Sequence, residues 1–428
     1  MTGTYREYIK ELEENKRVKY VKKEVSKDAK ISKILYEHQN ISVFFEKIEG
    51  FSNSNVIGNF CSTRKDLSLA LKETEEHLVD TIAQAFLNPR TPDNISTVSP
   101  WIEKEINLDK LPVPRYHEND GGCYFTSSII VSKFPNSNEE NLSIHRIMVL
   151  DKKKAVVRIL PRHLNRILEE QGGRAEIAVL VGVHPAIFLA AALSASYELS
   201  EYKIANALVG GKMELVKLEN GIKVPKGTEV VLLGNIDANE KAKEGPFVDI
   251  TGTSDIIREE PVIHFKKMLT PSDKIIFQAL LPASKEHKLF MGLPQELKIM
   301  LNLKKTGLNI YKINLTEGGC SYLHCVVSIR KNREDDGKKA IREIFNSAHS
   351  IKLAIVVDND IDPYDNDMVE WAVATRFQAD RGLEVFQNQR GSSLDPSSFK
   401  RGITAKMGID ATLPLNVDKK KFEKVRIP

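Results

Sequence analysis

The chain is poor in cysteine and tryptophan, carries no large excess of either charge and has no glycine-rich phosphate loop. Its four cysteines, Cys61, Cys123, Cys320 and Cys325, lack the paired short spacing of a zinc site, and no secretory segment opens the sequence. A reduced, cytoplasmic setting is expected. Lys and Arg number 62 against 58 Asp and Glu, a net charge of +4, and apart from Lys419, Lys420 and Lys421 the positive residues are spread along the chain. That distribution gives no concentrated basic face, so nucleic-acid partners are excluded. The glycine pairs Gly121–Gly122, Gly172–Gly173, Gly210–Gly211 and Gly318–Gly319 are isolated, which argues against a dinucleotide fingerprint. The most apolar stretch, 177–195, is interrupted by Gly182, His184 and Pro185. It reads as a buried strand, a turn at Val183–Pro185 and a helix from about Ala186, not as a membrane span. No internal repeat is present, so solenoid folds are excluded.

What is present suits a globular protein of several domains. A chain of 428 residues exceeds the size at which one core stops growing, and 41% hydrophobic with 28% charged residues is ordinary for such a fold. TYREYIKELEE is amphipathic, ISVFFEKIEG and NVIGNFCSTR read as strand, turn and strand, and DLSLALKETEEHLVDTIAQAFLNP has apolar residues at helical spacing up to a proline. After LPVPRYHENDGG, β-rich runs dominate: YFTSSIIVSKF, HRIMVL, AVVRIL, EIAVLVGV, MELVKLENGIKVP and EVVLLGNI, the pattern of a barrel or sandwich core. From about Leu303, helix and strand alternate as in an open α/β sheet, with a late helix in the lysine-rich tail.

Several residue types carry chemical promise. In EGPFVDITG, Glu244 and Asp249 flank Gly245 and Pro246, whose turn can bring both carboxylates to one pocket; a surface β-turn with solvated acids is the alternative. NLSIHR places Asn141 and Arg146 on a predicted strand, with His163 further on in RILPRHLNRI and Glu201 in LSEYKIANAL. An amide oxygen, an imidazole and a carboxylate suit Mn²⁺ or Mg²⁺, although each residue taken alone reads first as an ordinary structural one. A guanidinium such as that of Arg146 can hold a carboxylate bidentately, or can sit in a salt bridge on a strand. The acids of DNDIDPYDND, Asp358, Asp360, Asp362, Asp365 and Asp367, lack the glycine of a calcium loop and read as a strand end, a turn and a helix start, with Trp371 as packing.

Together these strings resemble the UbiD family over most of the chain. DGGCYFTSSIIVS resembles the family's strand entry, with Cys123 where proline is commoner. NLSIHR, LSEY, EGPFVDITG, VVDNDIDPYDNDMVEWAVATRFQADRG, GSSLDPSS and KMGIDAT then follow in the family's order. The resemblance implies a mixed α/β protein: a small N-terminal α/β domain over residues 1–108, a central split β-barrel that binds flavin over 109–298, and a C-terminal α/β oligomerisation domain over 299–428 with a tail helix. It implies prenylated FMN supplied by a flavin prenyltransferase, Mn²⁺ or Mg²⁺, K⁺ as a further cation, and a homodimer or homohexamer.

Carried over residue by residue, Asn141 and Glu201 match the family's metal ligands, with His163 as the third and Arg162 as the alternative at that position. Arg146, Glu244 and Asp249 match its catalytic constellation. Ile144, His145, Arg146, Arg158, Ile159, Leu160, His163 and Lys406 fall where the family lines its cofactor. The implied activity is non-oxidative decarboxylation of an α,β-unsaturated acid, for which prenylated FMN provides the electron sink that side chains lack. The chain's length and RILPRHL are most similar to archaeal-type members that convert trans-anhydromevalonate 5-phosphate to isopentenyl phosphate, with Arg158, Arg162 and Arg166 available to phosphate groups. A (prenylated) 4-hydroxybenzoate is the alternative substrate. A flavin-binding protein without decarboxylase activity is the alternative from another class, and the joint presence of Arg146, Glu244 and Asp249 speaks against it.

Overall fold

The computed structural model describes residues 3–193 and 195–424, which form two compact units, Met1–His287 and Lys288–Pro428. In the first unit the helix Tyr5–Glu14 starts where it does because Thr4 accepts from the Glu7 amide and the Glu7 side chain returns to the Thr4 amide, a reciprocal cap. Its buried face is Tyr5, Tyr8, Ile9 and Leu12, at helical spacing. Beside it the strands Val18–Val21, Ser42–Phe45 and Ser54–Gly58 form a sheet completed from far along the chain by Ile275–Ala279, parallel to Ser54–Gly58. The run expected to be helical after Asp66 divides into Arg64–Leu71 and Leu78–Leu87. Lys72, at φ 56° in the left-handed region, closes the first helix, and the charged KETEE that follows offers no apolar face to bury.

Among the described residues the central sheet has nine strands. Eight of them run in the order Tyr124–Phe125, Ile147–Val149, Lys154–Val157, Arg258–Thr270, Val230–Glu244, Arg174–Val181, Ile129–Lys133, Glu140–Ile144, and Ile102–Glu105 pairs with a further part of Arg258–Thr270. Glu140–Ile144 and Ile147–Val149 are consecutive in sequence, joined only by His145 and Arg146, yet the first is the last strand of this order and the second stands next to its opposite end. A link of that length reaches about 10 Å. The sheet must therefore roll until its ends nearly meet. Among the described residues no ladder joins those ends, so the expected barrel is a rolled sheet that does not close. Register breaks at Leu233/Gly234 and Asp237/Lys241 bend the long strand Val230–Glu244. At Gly234 a Cβ would lie 2.2 Å from the His264 carbonyl, so only glycine admits the close crossing. Ile130, Val156, Ile177, Val179, Leu232, Ile236 and Ile263 fill the interior.

The apolar stretch at 177–195 behaves as its pattern implies over its described residues. The strand Arg174–Val181 ends at Gly182 (φ +75°), and the helix Pro185–Ala192 is capped by His184, whose Nδ1 accepts from the Ala186 amide at 3.2 Å. No helix among the described residues is long and apolar enough to cross a membrane.

In the second unit five strands run in the order Asn309–Leu315, His324–Arg330, Leu353–Asp358, Ile403–Asp410, Leu383–Arg390, the inner pairs parallel and the outer pairs antiparallel. Alternation sends Cys325, Val327 and Ile329 to one face, against Ile299, Ile341 and Ile344. Val326, Ile355 and Val357 turn to the other, against Val369 and Ala372. The lysine-rich tail forms only a single 3₁₀ turn, Lys419–Phe422, none of it buried. A longer helix there would have no apolar stripe to dock, and residues 425–428 lie outside the described part.

One buried acid of the first unit gives a test. Glu286 accepts from the Cys61 amide at 2.8 Å, its second oxygen has no hydrogen-bond partner among the described residues, and burial holds its carboxyl up at about 8. The ordinary value is about 4.3, so the folded protein keeps this group neutral at pH 7. Stability linked to it is greatest below about pH 4.3 and declines until the pH passes about 8. Thermal melts should show the wild type losing stability relative to Glu286→Gln across that window; parallel curves would contradict the assignment.

Candidate active site

Arg146 sits in the link between sheet ends, not on a strand as its motif suggested, because the chain must there leave one ladder and join another. Its guanidinium meets three carboxylates. Nε donates to Glu244 Oε1 at 2.9 Å and Nη2 to Glu244 Oε2 at 2.8 Å, a bidentate pair. Nη1 donates to Asp249 Oδ2 at 2.6 Å, and Nη2 also to Asp255 Oδ2 at 3.0 Å. Of the five N–H groups an arginine carries, these four bonds leave one, on Nη1. The Phe247 ring lies 4.8 Å from the guanidinium carbon. Burial opposes the charge on Arg146, but Glu244, Asp249 and Asp255 outweigh it and hold the group above the usual arginine range. Burial likewise disfavours the Asp255 carboxylate, yet Arg258 and Arg146 bring its pKa below the usual value.

The turn that carries the acids is seated from beneath. Glu244 ends a long strand, Gly245–Pro246 is a cis peptide, and Phe247–Val248 pairs with Ser254–Asp255 as a short hairpin with Asp249 just beyond its first arm. The Gly121 amide donates to the Pro246 carbonyl at 2.8 Å, and a Cβ on Gly121 would fall 2.1 Å from the Gly245 oxygen. Asp120 accepts from the Val248 amide at 3.2 Å. Tyr124 donates its hydroxyl to Glu244 Oε1 at 3.2 Å while its ring packs 4.6 Å from that of Phe247. Burial and the Glu244 charge raise the Tyr124 hydroxyl far above its usual value, so it stays a donor.

A second group forms on the strand Glu140–Ile144 and the link after it. Asn141, Ser143 and His145 lie two residues apart, on one side. Asn141 Nδ2 donates to Ser143 Oγ at 3.2 Å, Ser143 Oγ lies 2.9 Å from His145 Nε2, and His145 Nδ1 donates to the Arg158 carbonyl at 2.9 Å. Burial, aided by Arg162, lowers the His145 pKa to about 4, so the ring is neutral and Nε2 accepts from Ser143. The chain fixes the Asn141 amide with its oxygen as the remaining acceptor. Glu201, in the first turn of Glu201–Leu208, accepts from the Leu142 amide at 2.8 Å, which brings it beside Asn141. It is 2% exposed with no cationic side chain bonded to it among the described residues, and burial raises its pKa to about 8. A buried carboxylate and a neighbouring amide oxygen without a counter-charge are a donor set that fits a hard divalent cation.

The other residues named from sequence are more dispersed. His163 opens the helix His163–Glu170 with its ring 5.5 Å from that of Tyr197, and among the described residues no group of three or more His, Cys, Asp or Glu is placed to hold a metal. Ile144 is half-buried at a strand end, Ile159 is buried and Leu160 is 40% exposed. Arg158 pairs with Glu260, and Arg166 with Glu170 at 2.6 Å. Lys406 lies in the second unit, donating to the His349 carbonyl at 3.0 Å, with burial lowering its pKa to about 8. The aspartates of the second unit serve structure: Asp358 and Asp360 hold Arg376, and Asp365 caps the helix Asn366–Arg376. A cavity of about 370 Å³ lined by Tyr5, Trp101, Ile187 and Met213 shares no residue with the Arg146 cluster.

Sequence reasoning missed Asp255, Arg258 and Tyr124. Asp255 and Arg258 sit in SDIIREE, an unremarkable charged stretch, and only the ladder that pairs Glu244 with Arg258 reveals their place. Tyr124 lies inside the noticed DGGCYF string, but nothing in its spacing points to Glu244.

Three domain models match the chain in order. Residues 9–86 match the N-terminal domain of UbiD, 3-octaprenyl-4-hydroxybenzoate carboxy-lyase, residues 91–285 its Rift-related domain, and residues 288–411 its C-terminal domain. The anhydromevalonate phosphate decarboxylase of Methanothermobacter thermautotrophicus is 38% identical over 409 residues, 95% of this chain and 96% of that one. The UbiD-class enzyme HmfF from Pelotomaculum thermopropionicum in complex with FMN superposes with a TM-score of 0.94 at 33% identity, covering 99% of this chain and 97% of that one. An evolved dimeric form of HmfF in complex with prFMN gives 0.90 at 32% identity, covering 100% and 97%.

The seating of the turn predicts a graded response. Tyr124→Phe keeps the ring and removes one donor, at a cost of about 1 kcal/mol. Gly121→Ala drives a methyl group into backbone and costs more, about 3 kcal/mol. Thermal denaturation should rank them in that order; a Gly121→Ala protein as stable as wild type would show that the turn is not held from below.

Proposed function

As a member of the UbiD family and a prenylated-FMN-dependent carboxy-lyase of that class, this chain, we propose, removes CO₂ from trans-anhydromevalonate 5-phosphate to give isopentenyl phosphate. Support comes from the relative named above, which is 38% identical along nearly the whole chain. Bound prenylated FMN supplies an electron sink for the pair left behind when CO₂ departs from an unsaturated carbon. Asn141 and Glu201 would hold its phosphate through a divalent cation, Mn²⁺ or Mg²⁺. Arg162 is exposed, and among the described residues its guanidinium has no bonded partner, while its charge is felt at both His145 and His163. Of the three arginines near RILPRHL it is the one free to meet a phosphate oxygen.

The observation that carries the mechanism is the bidentate Arg146–Glu244 pair with Asp249 on the next nitrogen. The spare Nη1 proton receives the substrate carboxylate, and a carboxylate displacing Asp249 from that nitrogen gains the second. Glu244, fully buried, delivers a proton to the carbon that loses CO₂. Asp249 steadies the guanidinium before substrate arrives. Charge explains why a proton is at hand. Glu244, Asp249 and Asp255 already face Arg146 and Arg258, so an incoming carboxylate brings a fourth negative charge against two positive ones. That imbalance favours proton uptake by the cluster.

Cofactor-loaded protein should turn over trans-anhydromevalonate 5-phosphate, with CO₂ and isopentenyl phosphate in equal amounts by mass spectrometry. Turnover of 4-hydroxybenzoate-type acids alone would refute the substrate. Glu244→Gln, nearly isosteric, should lower kcat by about 10²- to 10⁴-fold with little change in fold. Calorimetry in buffers of different ionisation enthalpy should detect uptake of about one proton when an unreactive saturated acid binds; no uptake would contradict the charge argument.

A further inference from the structure

The Arg146 guanidinium is gripped from both arms of one hairpin. Asp249, beyond the first arm, takes Nη1, and Asp255, at the end of the second, takes Nη2. Asp255 is itself held: Arg258 Nη1 donates to its Oδ2 at 2.6 Å, Arg258 Nη2 to its Oδ1, and the Ile256 amide to its Oδ1 at 2.9 Å. Arg258 is anchored in turn, because it stands directly across the ladder from Glu244 and donates to the Ile256 carbonyl at 3.0 Å. The result is a closed circuit from Glu244 through Arg146, Asp255 and Arg258 back to the Glu244 strand. Asp255 and Arg258 are half-buried, with side chains only 8% and 9% exposed. Neither is needed to bind the turn from below, which Gly121, Asp120 and Tyr124 already do.

We propose that Asp255, locked by Arg258, is a positioning residue that closes the Nη2 edge of Arg146 and thereby makes Nη1 the edge that meets the substrate carboxylate. This rests on Arg146 being the carboxylate clamp. With Asp255 in place both Nη2 protons are engaged, one by Glu244 and one by Asp255. Without it an incoming carboxylate has a second docking edge, shifted around the guanidinium. Binding persists there, but the bond to be broken no longer stands where the proton donor and the electron sink require it. A misplacement of about 1 Å costs roughly 100-fold in rate, so the signature is a fall in kcat without a matching rise in KM.

The test uses full-length holoenzyme, with rates expressed per flavin-loaded subunit. Asp255→Asn should lower kcat by about 10- to 100-fold while KM changes by less than about threefold. Arg258→Met should behave alike, and the double variant no worse than either, as for two residues of one unit. Asp255→Glu should recover part of the rate. Crystals of Asp255→Asn with an unreactive saturated acid should show its carboxylate on Nη2 of Arg146, where wild-type crystals show it on Nη1. Wild-type kcat in Asp255→Asn, or an acid bound identically in both crystals, overturns the proposal. An acid bound away from Arg146 in wild-type crystals overturns the clamp reading instead, and the positioning role falls with it.

Discussion

The two-residue link from Ile144 to Ile147 constrains the rest of the first unit. Because it joins the last strand of the sheet order to the one next to the opposite end, the sheet has to roll, and the link has to lie where the rolled ends approach each other. Arg146 is half of that link. Its position is therefore set by backbone topology before any side chain is considered, and the far end of the long strand Val230–Glu244 supplies Glu244 to the same place. The break in the ladder that prevents a closed barrel is also what leaves room for a guanidinium and its carboxylates.

The charges then behave as one body. A buried arginine with three acids would be a poor device for stability, since desolvating so many charges offsets most of their attraction. Its value lies in order: each N–H but one is assigned to a particular oxygen, and the acids come from a strand end and from both arms of a hairpin. In the proposed reaction, the excess negative charge around two guanidinium groups is what an incoming carboxylate would have to meet. The Asn141–Ser143–His145 chain follows the same logic with neutral groups, a fixed hydrogen-bonded series that sets the Asn141 amide beside Glu201, a donor pair that fits the proposed cation.

Much of this was legible from residue patterns, and the failures have physical causes. Alternating strands, the interruption at Gly182 to Pro185 and the α/β alternation after Leu303 are local signals, and the elements formed accordingly. The contact of Arg146 with Glu244 and Asp249 followed from ordered motifs. Asp255, Arg258 and Tyr124 were invisible because their relevance depends on strand pairing between distant segments, which period and composition do not encode. The helix expected across residues 66–87 broke at a run of charges, and the tail helix shrank to one turn, since in both places propensity had no apolar face to support it. The barrel was read from strands of similar length between turn residues and from the family resemblance, neither of which encodes whether the two ends of the sheet pair.

The central claim is that a carboxylate bound at Arg146 loses CO₂ and that the vacated carbon is protonated by one fixed acid. Turnover of trans-anhydromevalonate 5-phosphate in D₂O, with the product's terminal alkene carbon read by NMR, tests it most directly. A single deuterium in one geometric position is the predicted result, because a buried acid on one strand end reaches the carbon from one side. An even mixture of the two positions would mean that the proton comes from unconstrained solvent, and the role given to Glu244 would be wrong.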